Sequence, residues 1–321
     1  MMKELNLYDM HHHYNPLSVS GNKEKSQNPD IQESLDMMAQ CGVRKSILSY
    51  PVWFPELTEP GKRDMCRRVN EEYAGLSAVY PSLEAFALLP YSNERYHVLH
   101  EMEYALDVLH LKGILLPSNF LEICPDKDVL SELCHELDQR KAFVFVHPAF
   151  PSSKKEYMGG NIHVTMKGIT RAACELVFNR VVDRYPRIRF ILSCGGGNIS
   201  FFFHRIKSRT LYPDLTKGFE EHELSGFEVL FKHFYYDTAF SVQTDLLNCL
   251  KAFVPESHML YGSNFPSLPV QSVEQNLEYL RYVHCENGQT LLECLQANSS
   301  LFENGNKIMN GKEKQPISSN L

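Results

Sequence analysis

Eight short runs rich in β-branched and aromatic residues recur along the chain, and longer amphipathic segments separate them from start to finish. The runs are LNLYDMH (5–11), KSILSY (45–50), LEAFALLP (83–90), LKGILLPS (111–118), AFVFVHP (142–148), IRFILSC (188–194), HFYYDTAF (233–240) and HMLYGSNF (258–265). Such alternation is the signature of βα units around a parallel sheet. Eight units close most naturally as a (β/α)8 barrel, with a doubly wound open sheet as the other architecture. In the segment 31–42, Ile31, Leu35, Met37 and Met38 fall near one helical face, and Gly42 follows as a stop. Segments 62–80, 100–110, 128–141 and 170–185, the last ended by Pro186, read as further crossover helices. The 321 residues fit one α/β barrel domain over 1–302, followed by a polar tail over 303–321 with little expected order.

Charge narrows the partners. Lys and Arg total 32 against 39 Asp and Glu, a formal charge of −7, with no basic block. A concentrated positive face is what nucleic acid and anionic membranes require, so neither is expected. The opening MMKELNLYDM has no apolar signal-peptide core, and no stretch is apolar over the roughly 18 residues of a membrane span; a cytoplasmic protein is expected. Nine cysteines without CxxC spacing suggest neither a disulfide framework nor a zinc ribbon, and most are expected to be buried, reduced and apolar in behaviour.

In a (β/α)8 barrel the chemistry sits at the C-terminal strand ends. The polar residues there are His11 and His13 on the first strand, His147 on the fifth, Cys194 after the sixth, Asp237 in the seventh and Asn264 after the eighth. Period-two alternation puts Asp9, His11 and His13 on one face and turns His12 toward the helices. Two imidazoles from one strand and a third from across the barrel would form a facial trio for zinc or manganese, with positions left open. The plainer reading is three separate strand-end hydrogen bonds. In SCGGGNIS, glycines between strand and helix would either admit an anionic ligand close to the backbone or make a tight turn. The run lacks the GxGxxG fingerprint, so no nucleotide cofactor is expected.

Together these segments resemble the amidohydrolase-related, metal-dependent decarboxylases, the group containing the aminocarboxymuconate-semialdehyde, γ-resorcylate and 6-methylsalicylate decarboxylases. DMHHHYNP looks like that family's D-x-H-x-H-x-x-P opening. RRVNEEYAGLSAVYPSLEAFALLP, LKGILLPSN, VFVHPAFP, VVDRYPRIRFILSCGGGNISFFFHRI, YYDTAFS and LYGSNFPSLP are similar to its later segments, in the same order. The resemblance runs from about Leu7 to about Leu301. It implies a barrel of the metal-dependent hydrolase type, His11, His13 and His147 as metal ligands, and a homodimer. Two positions depart from the pattern: the sixth-strand histidine, an acid/base in the family, is Cys194, and the eighth-strand aspartate, a metal ligand, is Asn264.

Asn264 can offer only a neutral oxygen, leaving a bound cation one unit more positive. Cys194 could serve as a zinc ligand, proton donor or nucleophile once a cation lowers its pKa, and soft sulfur favours zinc. The implied activity is non-oxidative decarboxylation of a small aromatic or conjugated carboxylic acid, with Cys194, Asp237 or a metal-bound water supplying the proton. Tyr14, Trp53, Phe54, Phe150 and Phe265 would make a flat apolar slot or simply pack the core. Arg205 would pair with a carboxylate or with a structural acid. A repurposed cyclase, isomerase or hydrolase and a non-catalytic binding barrel, without metal in one version, are the competing readings.

Overall fold

In the computed structural model, residues 5–20, 30–124, 126–148, 150–151, 162–201, 231–239, 242 and 244–305 are described. Among the described residues, ten strands form in chain order. They are β1 (Leu5–His13), β2 (Val43–Ser49), β3 (Val52–Trp53), β4 (Leu83–Ala87), β5 (Gly113–Pro117), β6 (Phe143–His147), β7 (Phe150–Pro151), β8 (Arg189–Leu192), β9 (Tyr235–Asp237) and β10 (Met259–Leu260). Eight of them make one parallel sheet in the order β1-β2-β4-β5-β6-β8-β9-β10, each of the eight lying within one of the runs expected from sequence or overlapping it closely.

The sheet closes on itself. Met10 N–H donates to the Tyr261 carbonyl at 2.9 Å, Asn264 N–H to the His11 carbonyl at 2.8 Å and His13 N–H to the Phe265 carbonyl at 2.7 Å, which zips β1 to the chain leaving β10. The architecture is the (β/α)8 barrel, not the open sheet. β3 and β7, of two residues each, pair with each other as a separate parallel sheet formed by the loops after β2 and β6.

The longer helices are α1 (Ile31–Cys41), α2 (Glu59–Val79), α3 (Arg95–Glu103), α4 (Lys127–Arg140), α5 (Ile162–Phe178), α6 (Thr244–Phe253), α7 (Val270–Leu280) and α8 (Leu291–Asn298). α1 ends at Gly42 in the left-handed region, φ 73°, as its sequence implies. α2 starts earlier than its apolar periodicity, because the Thr58 hydroxyl caps Gly61 N–H and Pro60 suits a helical first turn. The helix expected over 170–185 is broken: Arg180 takes φ 59°, and a short helix restarts at Val181. A helical segment runs from Ser300 to Gly305, over the first residues of the expected tail, and Glu303 pairs with Arg44 at 2.6 Å. Residues 306–321 of that tail lie outside the described residues.

Two apolar layers follow from strand alternation. Tyr8, Met10, Ile47, Phe86, Leu115 and Phe145 belong to the inner cluster, while a larger cluster unites the outer strand faces with the helices. Phe302 joins the inner cluster by stacking on Phe143 at 4.4 Å and facing Tyr8 at 6.0 Å. It is fully buried, so Phe302→Ala is expected to cost about 3–5 kcal/mol in a urea unfolding titration. The penalty combines lost transfer energy with an unfilled cavity under the barrel.

Candidate metal centre

β1 is the strand that departs from simple alternation. Its register against β2 slips between Asp9 and His12. Tyr8 and Met10 face the inner cluster, yet the next side chain, His11, also lies inward, its ring 5.3 Å from that of Phe145. Asp9 is thereby separated from the face it was expected to share with His11 and His13. Its carboxylate accepts from Ser263 N–H at 2.8 Å and Ser263 O–H at 2.5 Å, and lies 3.5 Å from the His12 ring. His12 turns toward α1, where its Nε2 meets the Ser34 hydroxyl at 2.9 Å. The irregular register re-aims one residue and so changes which side chains share the pocket.

His11, His13 and His147 converge. Their candidate ligand atoms lie within 4.8 Å of one another, with His11 Nε2 3.0 Å from His13 Nε2 and 3.1 Å from His147 Nε2. Each ring is held through its other nitrogen. His11 Nδ1–H donates to Asp237 Oδ2 at 2.8 Å, His13 Nδ1–H to the Ser49 hydroxyl at 3.0 Å, and His147 Nδ1–H to the Pro148 carbonyl at 2.7 Å. Ser49 in turn donates to the His12 carbonyl at 3.3 Å, which leaves its oxygen free to accept. With all three protons on Nδ1, the Nε2 lone pairs face one another without a proton between them. Three lone pairs at this spacing repel, and a cation among them removes the repulsion. The donor set therefore fits a divalent metal, with His11, His13 and His147 as the residues able to hold it.

Burial first, and the neighbouring imidazoles second, hold His13 and His147 well below the ordinary histidine range. Both are neutral near pH 7, the form a metal needs. In the unfolded chain they protonate near pH 6.5, so below that value the unfolded state binds more protons than the folded one. Their contribution is thus present above the unfolded pKa and is lost on acidification. With chelator present, the melting temperature is expected to fall between about pH 7.5 and about pH 5.5, and His147→Ala should flatten that decline. A thermal-melt series across pH checks it.

Asp237 is wholly buried and both its oxygens are engaged: Oδ2 with His11, Oδ1 with Cys194 N–H at 2.8 Å and Ala239 N–H at 3.0 Å. It orients an imidazole, and neither of its oxygens is without a hydrogen-bond partner. Gly262 beside it leaves room for this contact, because a Cβ there would sit 2.8 Å from His11 Cβ and 3.2 Å from the Asp237 carboxyl carbon. The glycine run serves close packing within the chain: Gly196 at φ 75° abuts the Tyr236 ring, and Gly197 at φ 68° lies against the Met166 carbonyl.

Cys194 occupies a left-handed position, φ 52°, at the start of that turn. Its side chain belongs to the larger apolar cluster and does not join the imidazole group. Burial and the Asp237 carboxylate push the thiol well above its ordinary pKa, which keeps it protonated in the chain alone. Asn264 is also left-handed, φ 55°, and its amide Nδ2 is buried without a hydrogen-bond partner. Its own backbone N–H bonds to the His11 carbonyl, which ties the residue to the ligand strand.

The expected substrate contacts scatter. Tyr14 is buried in the outer cluster against Tyr73 at 6.4 Å, and burial raises its phenol to about 12. Phe265 faces the His12 ring at 5.3 Å, on the helix side of β1. Phe54 packs on Tyr50 and lines a narrow apolar cavity with Leu88, Leu89, Tyr91 and Pro117. Trp53 and Phe150 lie in the paired strands β3 and β7, but their side chains are outside the described set, and Arg205 lies outside the described residues altogether. Ser49, Ser263 and the Pro148 carbonyl are parts of the site that sequence reasoning missed. A strand-end serine or a carbonyl carries no signal of its own until the topology sets it beside an imidazole.

A sequence profile of the amidohydrolase family matches residues 8–282, most of the chain. The chain belongs to the amidohydrolase family. Within that family it is similar to the 6-methylsalicylic acid decarboxylase of Penicillium expansum, 26% identical over 299 residues that cover 85% of this chain and 88% of the relative. It is also similar to the decarboxylase macB of Penicillium terrestre, 27% identical over 350 residues covering 97% and 99% of the two chains. Among solved structures, a dihydroxybenzoic acid decarboxylase from a Polaromonas species, with bound manganese and the inhibitor 2-nitroresorcinol, shares this amidohydrolase barrel. That similarity has a TM-score of 0.72 at 17% identity and covers 95% of this chain and 98% of the other.

Proposed function

We propose that the protein is a metal-dependent, non-oxidative decarboxylase, a carbon–carbon lyase acting on a small aromatic carboxylic acid. The observation that carries this reading is the trio of Nε2 lone pairs of His11, His13 and His147, bare toward one another and each fixed through its Nδ1. The curated relatives, which bear the names of decarboxylases, support the reaction class.

Zinc is the ion this reading favours, on its three imidazole donors alone; manganese, which the Polaromonas relative binds, is the alternative. Sulfur adds nothing to that preference, because Cys194 stands apart from the imidazole group. When bound, the ion supplies a Lewis acid for an oxygen of the substrate. Asp237 locks the His11 tautomer and ring orientation, Ser49 and the Pro148 carbonyl do the same for His13 and His147, and the three imidazoles form a donor set without a carboxylate. A cation held by neutral donors keeps its full charge for an anionic acid. Cys194 stands where the resemblance puts the acid, and burial keeps its thiol protonated, but it packs in the apolar cluster apart from the three imidazoles.

The test is turnover by protein loaded with zinc or manganese against a panel of 2-hydroxybenzoic acids, read as CO2 release. Release from at least one acid, abolished by chelator, is expected. Full metal occupancy with no CO2 from the panel would move the assignment to a repurposed activity, the reading favoured by the thiol at the acid position.

A further inference from the structure

We propose that Cys285 and Cys294 form a reversible disulfide, an oxidisable site remote from the imidazole trio in function and independent of the proposed activity. Cys294 Sγ lies 2.9 Å from Cys285 Sγ, its S–H directed at the other sulfur. A disulfide bond is about 2.05 Å long, so an approach of about 0.9 Å joins them.

Both partners are held on ordered backbone. Cys285 sits in a turn closed by the antiparallel bridge between His284 and Thr290, its N–H donating to the Gln289 carbonyl at 2.8 Å and its carbonyl accepting from Gly288 N–H at 3.0 Å. Gly288 permits that turn with φ 83°. Cys294 lies in the first turns of α8, whose start is fixed by a reciprocal pair: Thr290 caps Glu293 N–H at 3.2 Å and the Glu293 carboxylate accepts from Thr290 N–H at 2.7 Å. The turn and the helix thus present the two sulfurs to each other. Burial raises the Cys285 thiol, which keeps it protonated.

A cleft gives access to Cys294. Cys294 lines a surface cleft of about 700 Å³ together with Glu256, Glu286, Asn287, Gln289 and Asn298. A peroxide entering there meets Cys294 first. The Cys294 sulfur attacks one peroxide oxygen, the O–O bond breaks, and a sulfenic acid and one water form. The Cys285 sulfur then attacks the sulfenic sulfur, the S–O bond breaks, and a second water leaves with the Cys285 proton. Two thiols have lost two electrons to one peroxide, and an external thiol reverses the change. The bond staples the turn to α8, the helix packed beneath β1, where the Ser299 hydroxyl just past its end accepts from Tyr8 N–H at 3.0 Å.

Both cysteines fall in the one tryptic peptide 282–307, with Glu286 and Glu293 between them. The full chain, reduced and desalted, is exposed to hydrogen peroxide, then denatured and alkylated. The expected product is this peptide about 2 Da lighter and refusing alkylation, its fragments still joined after cleavage at the two glutamates and released by dithiothreitol. The oxidised chain should melt roughly 4 °C higher, and reduction should remove the gain. Cys285→Ala should leave a sulfenic acid at Cys294 that dimedone traps, and Cys294→Ala should leave Cys285 reduced. Alkylation of both cysteines after peroxide, or a bond from either to another cysteine, overturns the proposal, as does trapping of Cys285 in Cys294→Ala with no trapping in Cys285→Ala.

Discussion

His11→Ala is expected to leave less than about a tenth of an equivalent of bound transition metal and to lower CO2 release by about a thousandfold or more. His11 is the centre of the trio, within 3.1 Å of both partners through one nitrogen, and Asp237 grips it through the other. Its removal takes away one donor and also frees a buried carboxylate that then lacks its imidazole. Changes to partners that merely orient a metal ligand cost 10–100-fold as a rule, so loss of the ligand itself belongs above that range. Elemental analysis of protein purified without chelator, paired with CO2 release, checks both halves. Near-stoichiometric metal in the variant would sink the assignment.

Asn264→Asp is expected to tighten metal binding by about 10- to 100-fold, read by competition with a chromophoric chelator. The backbone already accepts the exchange, because Asn and Asp are the non-glycine residues most at home at φ 55°. The amide Nδ2 it replaces is buried with no partner, so no hydrogen bond is lost. What is gained is a negative charge on the residue whose N–H holds the His11 carbonyl. In chelator the same variant should be less stable than the parent, since the new carboxylate is desolvated without a cation. Adding Cys194→His restores both family residues; a rise in decarboxylation would show that the natural pair has traded that chemistry for another.

The barrel was legible because alternating short apolar runs and amphipathic segments leave little choice of architecture, and parallel strands buried on both faces must be apolar throughout. The convergence of His11, His13 and His147 was legible for the same reason: once the strands are ordered, their C-terminal ends share one rim. What could not be read has physical causes. The register slip in β1 turns Asp9 away from the trio, and a slip is set by tertiary hydrogen bonds rather than by pattern. The left-handed Arg180 divides a helix whose periodicity is continuous in sequence. Strands β3 and β7 have two residues each and, unlike the equally short β10, follow a proline directly or at one remove, so no longer run marks them. Asp237, read as a proton donor, has both oxygens taken by donors that only the folded chain assembles.

The closing seam of the barrel has a consequence for biosynthesis. Three backbone hydrogen bonds join the first strand to the residues just beyond the last, and His11, Asn264 and Phe265 take part in them. The histidines of β1 therefore gain their fixed orientation only when β10 has been made and has docked. Until β10 docks, the histidines of β1 form no rigid chelate to trap a wrong ion, and metal selection falls to the closed barrel.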